Sequence, residues 1–350
     1  MKVASASQTG LHPTPQLAEA AVRAALDRAG LHRADSVLLF LTRDYARHAA
    51  PALLAAVRAA GSMEVAGCTA YGVISEDGWI LDQPAAAALV IGDTGNVAPL
   101  VAGQSPLLSF SGYHALPHGW QSGPARAGML DTGALAWAHG RPVADASAEI
   151  RLPGLRARLA HSTGLRPLSE PLPVDVVNGY DLRQLGGISA FASLQRWLPG
   201  ELRATPPLHQ IVITRHPGTP AVAILAANAD GSLTLGEALE PGTLVRWAIR
   251  QPLASEEDMR RSLLDIPQED ALPGAVNPEK QPEFVVMFSC LGRGPLYYGN
   301  EDRDLLAVRE QYPGIPLIGA YGSGQIAPGA GGNHLFQNSV VTLLYESFHV

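Results

Sequence analysis

The sequence predicts an α+β protein of two modules, each a mixed or antiparallel β-sheet covered by helices. Two observations predict it. A strand-helix-strand unit ending in a glycine-rich segment occurs once in each half, and the middle of the chain alternates short apolar runs with hairpin signals. That mixture argues against a doubly wound parallel sheet.

Taken in order, residues 15 to 30 read as an Ala-rich amphipathic helix with Leu17, Ala21, Ala24 and Ala25 on one face and Gly30 at its end. Val37 to Leu41 is a strand, Ala50 to Ala60 a helix, and Met63 to Ala66 a second strand, with a loop from Gly67 to Ile74. Ala85 to Ile91 is a buried strand stopped by Gly92-Asp93. Residues 104 to 140, rich in Gly, Pro and His, read as loop around short strands. Arg156 to Pro167 and Pro173 to Val177 are strands, and Asn178-Gly179 turns the chain into Asp181 to Leu185. Ala190 to Leu198 is a short helix. Leu208 to Thr214, Ala221 to Ala226 and Thr243 to Ile249 are strands. Ser255 caps a helix that runs to Leu264, and Pro267 to Pro282 is a polar connector. Phe284 to Phe288 is a buried strand breaking into a loop that carries Arg293. A helix from Asp302 to Tyr312, a strand from Ile315 to Ile318 and a loop from Gly319 to Ile326 follow.

Gly67-Cys68-Thr69-Ala70-Tyr71-Gly72-Val73-Ile74 and Gly319-Ala320-Tyr321-Gly322-Ser323-Gly324-Gln325-Ile326 look alike. Each begins with Gly after an apolar strand, carries a Tyr and has a Gly two places before its final Ile. They mark a degenerate internal repeat, with modules at residues 1–200 and 201–350.

With 47% apolar and 16% charged residues among 350, the chain is globular. A net charge of −7 argues against nucleic acid or an anionic membrane as partner. Cys68 and Cys290 are too few for a disulfide framework. The first residues lack an apolar signal region, and the longest apolar run, residues 84 to 91, falls short of a membrane span. A cytoplasmic protein is expected.

Phe288-Ser289-Cys290 with Gly292-Arg293-Gly294, followed by Tyr312-Pro313-Gly314-Ile315-Pro316-Leu317-Ile318-Gly319 and Tyr321-Gly322 through Ile326, resembles the C-terminal module of FIST-domain proteins. Gly67-Cys68-Thr69 with Ile74-Ser75, and His161 to Pro167 running on through Asn178-Gly179, are similar to their N-terminal module. The resemblance implies a bacterial sensory module that binds small ligands such as amino acids; some members are haem proteins that sense nitric oxide. No kinase, cyclase or methyl-accepting segment is visible, so output is expected through a separate signalling protein such as a histidine kinase or cyclase.

Candidate ligand-binding residues are Gly67, Cys68, Thr69, Tyr71, Cys290, Arg293, Gly294, Tyr321, Gly322 and Gly324. Arg293, between glycines after a buried strand, suits a ligand carboxylate bidentately; the alternative is an arginine that ties its loop to Glu301 or Asp302. Gly319, Gly322 and Gly324 fit either an amide nest for an anion or the backbone needs of a tight connection. Tyr71 and Tyr321 occupy corresponding positions and are expected to wall the pocket. Both cysteines end buried strands and read as core thiols, with a cysteine nucleophile as the rival. Of eleven histidines, His114 and His118 have helical metal-ligand spacing broken by Pro117, and His161 is an axial ligand only if haem is bound. The function expected is a non-enzymatic sensor binding an amino acid or similar carboxylate in a cleft between the modules, without a cofactor. The alternative is a haem-based nitric oxide sensor.

Overall fold

The computed structural model describes residues 1–94, 105–266 and 281–347, so most of the expected 267–282 connector lies outside the described residues. The chain opens with β1 (Lys2–Thr9), α1 (Pro15–Ala29), β2 (Ser36–Thr42), α2 (Ala49–Ala60), β3 (Val65–Ala70), the hairpin β4 (Gly72–Ser75) and β5 (Gly78–Leu81), and β6 (Ala85–Gly92). In α1, Pro15 occupies the first turn, where no amide is needed. Ala18, Ala21, Val22, Ala25 and Leu26 bury one stripe, and Gly30 closes the helix at φ 62°. β2 and β3 run parallel with Leu39 opposite Gly67; β6 flanks β2 antiparallel, and β1 flanks β6. The Gly-, Pro- and His-rich stretch then supplies β7 (Leu107–Ser111), β8 (Arg126–Leu130) and β9 (Ala136–Ala138), and after it come β10 (Arg141–Pro142) and β11 (Ser147–Ile150).

The same order then restarts with β12 (Leu155–Ser162), but the chain first leaves for a second compact unit, Gly164–Asp258 with Gly329–Gly331. This unit holds β13 (Leu165–Pro167), β14 (Leu172–Asn178), β15 (Asp181–Leu185), β16 (Ile188–Ser189), α3 (Ala190–Trp197), α4 (Gly200–Arg203), β17 (Ile211–Thr214), β18 (Val222–Ala227), β19 (Leu233–Leu235) and β20 (Leu244–Arg250). β20 pairs with both β14 and β17, so β14, β15, β19, β18, β17 and β20 close an antiparallel ring. Its interior is filled by Val174, Leu182, Leu194, Ile213, Leu233 and Trp247, and the Trp247 indole N–H donates to Ser193 Oγ at 3.3 Å. The Asn178-Gly179 hairpin forms as expected: Asn178 pairs with Asp181, and Gly179 turns at φ 60°.

The restarted series continues with α5 (Pro252–Leu264), β21 (Phe284–Cys290), α6 (Arg303–Gln311), β22 (Leu317–Gly322), β23 (Gly324–Gly329), β24 (Gly332–Phe336) and β25 (Val340–Ser347). Helix α5 starts at Pro252 rather than at a Ser255 cap; Ser255 lies inside it and donates to Gly164 O at 3.0 Å. Asp302 caps α6, accepting from Leu305 N–H at 2.9 Å. β21 and β22 are parallel with Met287 opposite Gly319, matching Leu39 opposite Gly67; β25 stands where β6 stood, and β12 where β1 did. The repeat seen in sequence is the plan of the fold.

The sheets order as β1-β6-β2-β3-β9-β10, β12-β25-β21-β22-β4-β5 and β11-β7-β8-β23-β24. Leu38 and Phe40, Val286 and Phe288, and Phe110 meet in one apolar cluster. The three phenylalanine rings contact edge to face at 5.5 to 5.8 Å. On the far face of the first sheet, Val37, Leu39 and Leu41 pack against α1 and α2. On the far face of the second, Val285, Met287 and Leu344 pack with Met259, Leu263, Leu305 and Val308 of α5 and α6. The result is a helix-sheet-sheet-helix body.

The expected division at residue 200 is not how the compact units divide. Hairpin β4–β5 from the N-terminal half is hydrogen-bonded to β22, Tyr321 opposite Gly72 and Gly319 opposite Ile74. The first unit is therefore Met1–Thr163 with Met259–Pro328 and Gly332–Val350, and the halves of the sequence interleave within it. The apolar cluster of the ring contains no residue of the first unit. Residues 164–258 expressed alone are accordingly expected to unfold in one cooperative thermal transition followed by circular dichroism; a featureless baseline would refute that autonomy.

Candidate functional site

The glycine-rich segments read as loops are strands. Gly67, Cys68 and Thr69 lie within β3, Tyr321 and Gly322 within β22, and Gly324 opens β23, all of them buried. The reason is steric. A Cβ on Gly67, at φ 151°, would stand 1.9 Å from Leu39 O, and one on Gly319 would stand 2.0 Å from Met287 O. Gly322 faces Leu130 O at 2.7 Å and Gly324 the Leu335 side chain at 2.6 Å by the same measure. These glycines let strands approach closely; they do not form a cradle for an anion. Thr69 Oγ1 accepts from Leu135 N–H at 2.9 Å.

Arg293 is not displayed to a ligand. It follows β21 in a 3-10 turn and is 1% exposed. Its Nε and Nη2 donate to the two oxygens of Asp304 at 2.9 Å, and Nη1 and Nη2 reach Ser162 O at 3.1 Å and Oγ at 2.8 Å. Tyr298 OH donates to Asp304 at 3.0 Å, and Tyr321 OH donates to Asp302. Burial pushes both carboxyls upward, partly offset by the guanidinium at Asp304 and by the Tyr321 hydroxyl at Asp302. The acid that holds Arg293 is Asp304 rather than Glu301 or Asp302. Gly294 leaves room for the Tyr321 ring, 3.1 Å from where a Cβ would be.

Tyr71 and Tyr321 do not correspond. With Gly67 matching Gly319, Tyr321 stands level with Thr69 and Tyr71 with Ser323. Tyr71 N–H instead donates to Tyr321 O at 3.0 Å, where the first copy crosses into the second sheet. The Tyr71 ring carries the Arg43 guanidinium 3.3 Å from its centroid, and Arg43 Nε donates to Asp131 at 2.8 Å. The Asp131 side chain is 0% exposed, and its burial raises the carboxyl to about 6 despite Arg43. A native pKa above the unfolded value means that the folded state holds the extra proton. Asp131 therefore adds stability below about pH 4 that is lost as pH rises through about 6. Denaturation at pH 5 and pH 7 should show the wild type gaining on Asp131→Asn at the lower pH. A constant gap between the two would contradict this.

Cys68 is buried, and burial pushes its thiol well up, away from the nucleophilic form. Cys290 is also buried, its Sγ 3.8 Å from Ser323 O. His161, on β12, sits edge-on to Phe336 with ring centroids 4.2 Å apart. That packing does not fit a haem, whose axial imidazole needs an open apolar slot beside it.

A ligand-sized space lies elsewhere, at the amino-terminal ends of β2 and β3, opposite the ends that carry Thr42, Thr69 and Tyr71. It is a cavity of about 420 Å³ lined by Asp35 to Leu38, Glu64, Ala66, Ile91, Thr94, His139 and residues 149–155 except Gly154. This volume is within the usual range for small-molecule sites. Leu38, Ala66, Ile91, Leu152 and Leu155 are buried and form its floor, while Glu64, His139, Glu149 and Arg151 are exposed at its rim. Glu64 faces His139 Nδ1 at 3.0 Å, and Glu149 accepts from Arg126 Nε at 2.5 Å. Among the described residues the Asp35 carboxylate accepts only neutral donors, Thr94 N–H at 3.2 Å and Thr94 Oγ1 at 2.9 Å. Arg151 has no hydrogen bond or ion pair among the described residues. Sequence reasoning missed Asp35 and Arg151 because neither adjoins a motif. Arg43 could have been found, since it follows β2 much as Arg293 follows β21.

Residues 190–328 match the family model described as the FIST C domain. Over that segment the chain is similar to FIST C domains. The FIST C match starts with α3 in the second compact unit and ends in β23 of the first, so the family segment and the compact units do not coincide. FIST C domains are sensory modules. An uncharacterised protein of Mycobacterium tuberculosis is 30% identical over 199 residues, 53% of this chain and 50% of its own length. One of Mycobacterium bovis is 28% identical over 200 residues, with the same coverage. The chain spans about half the length of the curated relatives it matches. No helix among its described residues is long and apolar enough to cross a membrane.

Proposed function

We propose that this FIST-domain chain is a non-catalytic sensor that binds a small zwitterion, an amino acid in the simplest case, and signals through a separate output protein such as a histidine kinase or cyclase. The cavity carries the reading. Of its lining charges, Asp35 and Arg151 alone have no counter-ion among the described residues. An ammonium suits the first, and a carboxylate accepts two parallel N–H donors from the second. This moves the carboxylate-binding role from the buried Arg293 to Arg151. The FIST C match supports the sensory role, and binding that favours one conformation of the cavity walls would supply the signal.

Isothermal calorimetry with a panel of amino acids tests it. Asp35→Asn and Arg151→Ala should each weaken binding by about tenfold or more, the loss of one charge-assisted contact. Unchanged affinity in both variants would overturn the assignment. No observation favours the haem alternative over this reading.

A further inference from the structure

Resting on that reading of the cavity, we infer that the site selects zwitterions with an apolar side chain and rejects polar ones of the same shape. Of the lining charges, Glu64, His139, Glu149 and Arg151 are exposed and Asp35 is half-buried, whereas Leu38, Ala66, Ile91, Leu152 and Leu155 of the floor are at most 7% exposed. Ile150, partly buried, completes the apolar wall. A ligand anchored at Asp35 and Arg151 would direct its side chain to this floor. A hydroxyl or amide arriving among these apolar side chains gives up water and meets no partner from them, the lining hydroxyls of Ser36 and Thr94 being half-buried and outside the floor, whereas each added methylene gains about fourfold in affinity from burial.

Ala66 sets the depth. It sits on β3 opposite Leu38, in the same interior layer as the floor leucines. Its short side chain leaves the space that a branched or aromatic ligand side chain would fill. Leucine at this position would occupy that space from below.

The test is calorimetric titration of the full chain with valine against its isostere threonine, and leucine against asparagine. Valine and leucine should bind at least about tenfold tighter than their polar partners, and Ala66→Leu should lose leucine while keeping alanine or valine. Should Ala66→Leu fail to fold, Ile150→Asn is the second variant, expected to raise affinity for asparagine relative to leucine. Equal binding of threonine and valine, or an unchanged ligand ranking in a folded variant, would overturn the selectivity while leaving the site in place. Failure of all four amino acids to bind would instead remove the site, and the inference with it.

Discussion

Replacing Arg293 by alanine is expected to lower the unfolding free energy by about 3–5 kcal/mol, the usual cost of stranding one partner of a buried ion pair. The guanidinium and the Asp304 carboxylate are 2% and 0% exposed, so water does not replace the lost partner. Asp302 lies close enough to raise Asp304 further by repulsion, and Ser162 loses its donors as well. The pair Arg293→Met with Asp304→Leu removes both charges and should recover much of the loss, because apolar replacements of similar volume fill such sites well. The single variant should also suffer less at pH 5 than at pH 7.5. A carboxyl that takes up its proton in the folded state no longer needs the guanidinium. Guanidinium chloride denaturation of the wild type and both variants at the two pH values gives the answer. A loss below about 1 kcal/mol for Arg293→Ala, in the range of an exposed pair, would show that the clamp is not structural. Amino-acid affinity of the folded fraction should not change, since Arg293 does not line the cavity.

Gly67→Ala is the second large effect. The new methyl would lie 1.9 Å from Leu39 O and 2.9 Å from Leu39 C, which are backbone atoms held in the β2–β3 ladder and cannot turn aside. The residue would also have to keep φ at 151°, which a side chain rarely allows. The strands must separate, so a loss of about 4 kcal/mol or more is expected, with most of the product insoluble. Gly133→Ala is the control: its φ is 81°, but a Cβ there meets nothing within 4 Å. Its cost should be that of backbone strain alone, about 1–3 kcal/mol. Soluble yield and thermal midpoint separate the two, and comparable stability of the variants would discount the close approach.

Much of the fold could be read from local pattern. The stripe of α1, the Asn178-Gly179 hairpin and the two strand-helix-strand units all announce themselves within about fifteen residues, the range over which periodicity speaks. The glycine segments misled because glycine marks turns more often than it marks strands pressed together, and only the partner, Leu39 or Met287, distinguishes the two. Arg293 misled for a related reason. Its flanking glycines suggest an open loop, while Asp304 and Ser162, which bury it, are 11 and 131 residues away. The cavity was illegible because its walls come from five separate stretches of chain, with Asp35 and Arg151 standing beside unremarkable neighbours.

The exchange of hairpin β4–β5 into the other copy's sheet also sets an order of events during synthesis. Ser75 waits for Ile318 and Gly72 for Tyr321, partners almost 250 residues downstream. Ser5 Oγ likewise donates to Leu317 O across 312 positions. Until those residues emerge, the first copy carries a hairpin with one edge unpaired, at the point where an unfinished chain is most open to its neighbours. Closure of this seam is therefore a late step, and nascent chains halted before residue 317 should associate with each other or with holding chaperones far more than the finished protein does.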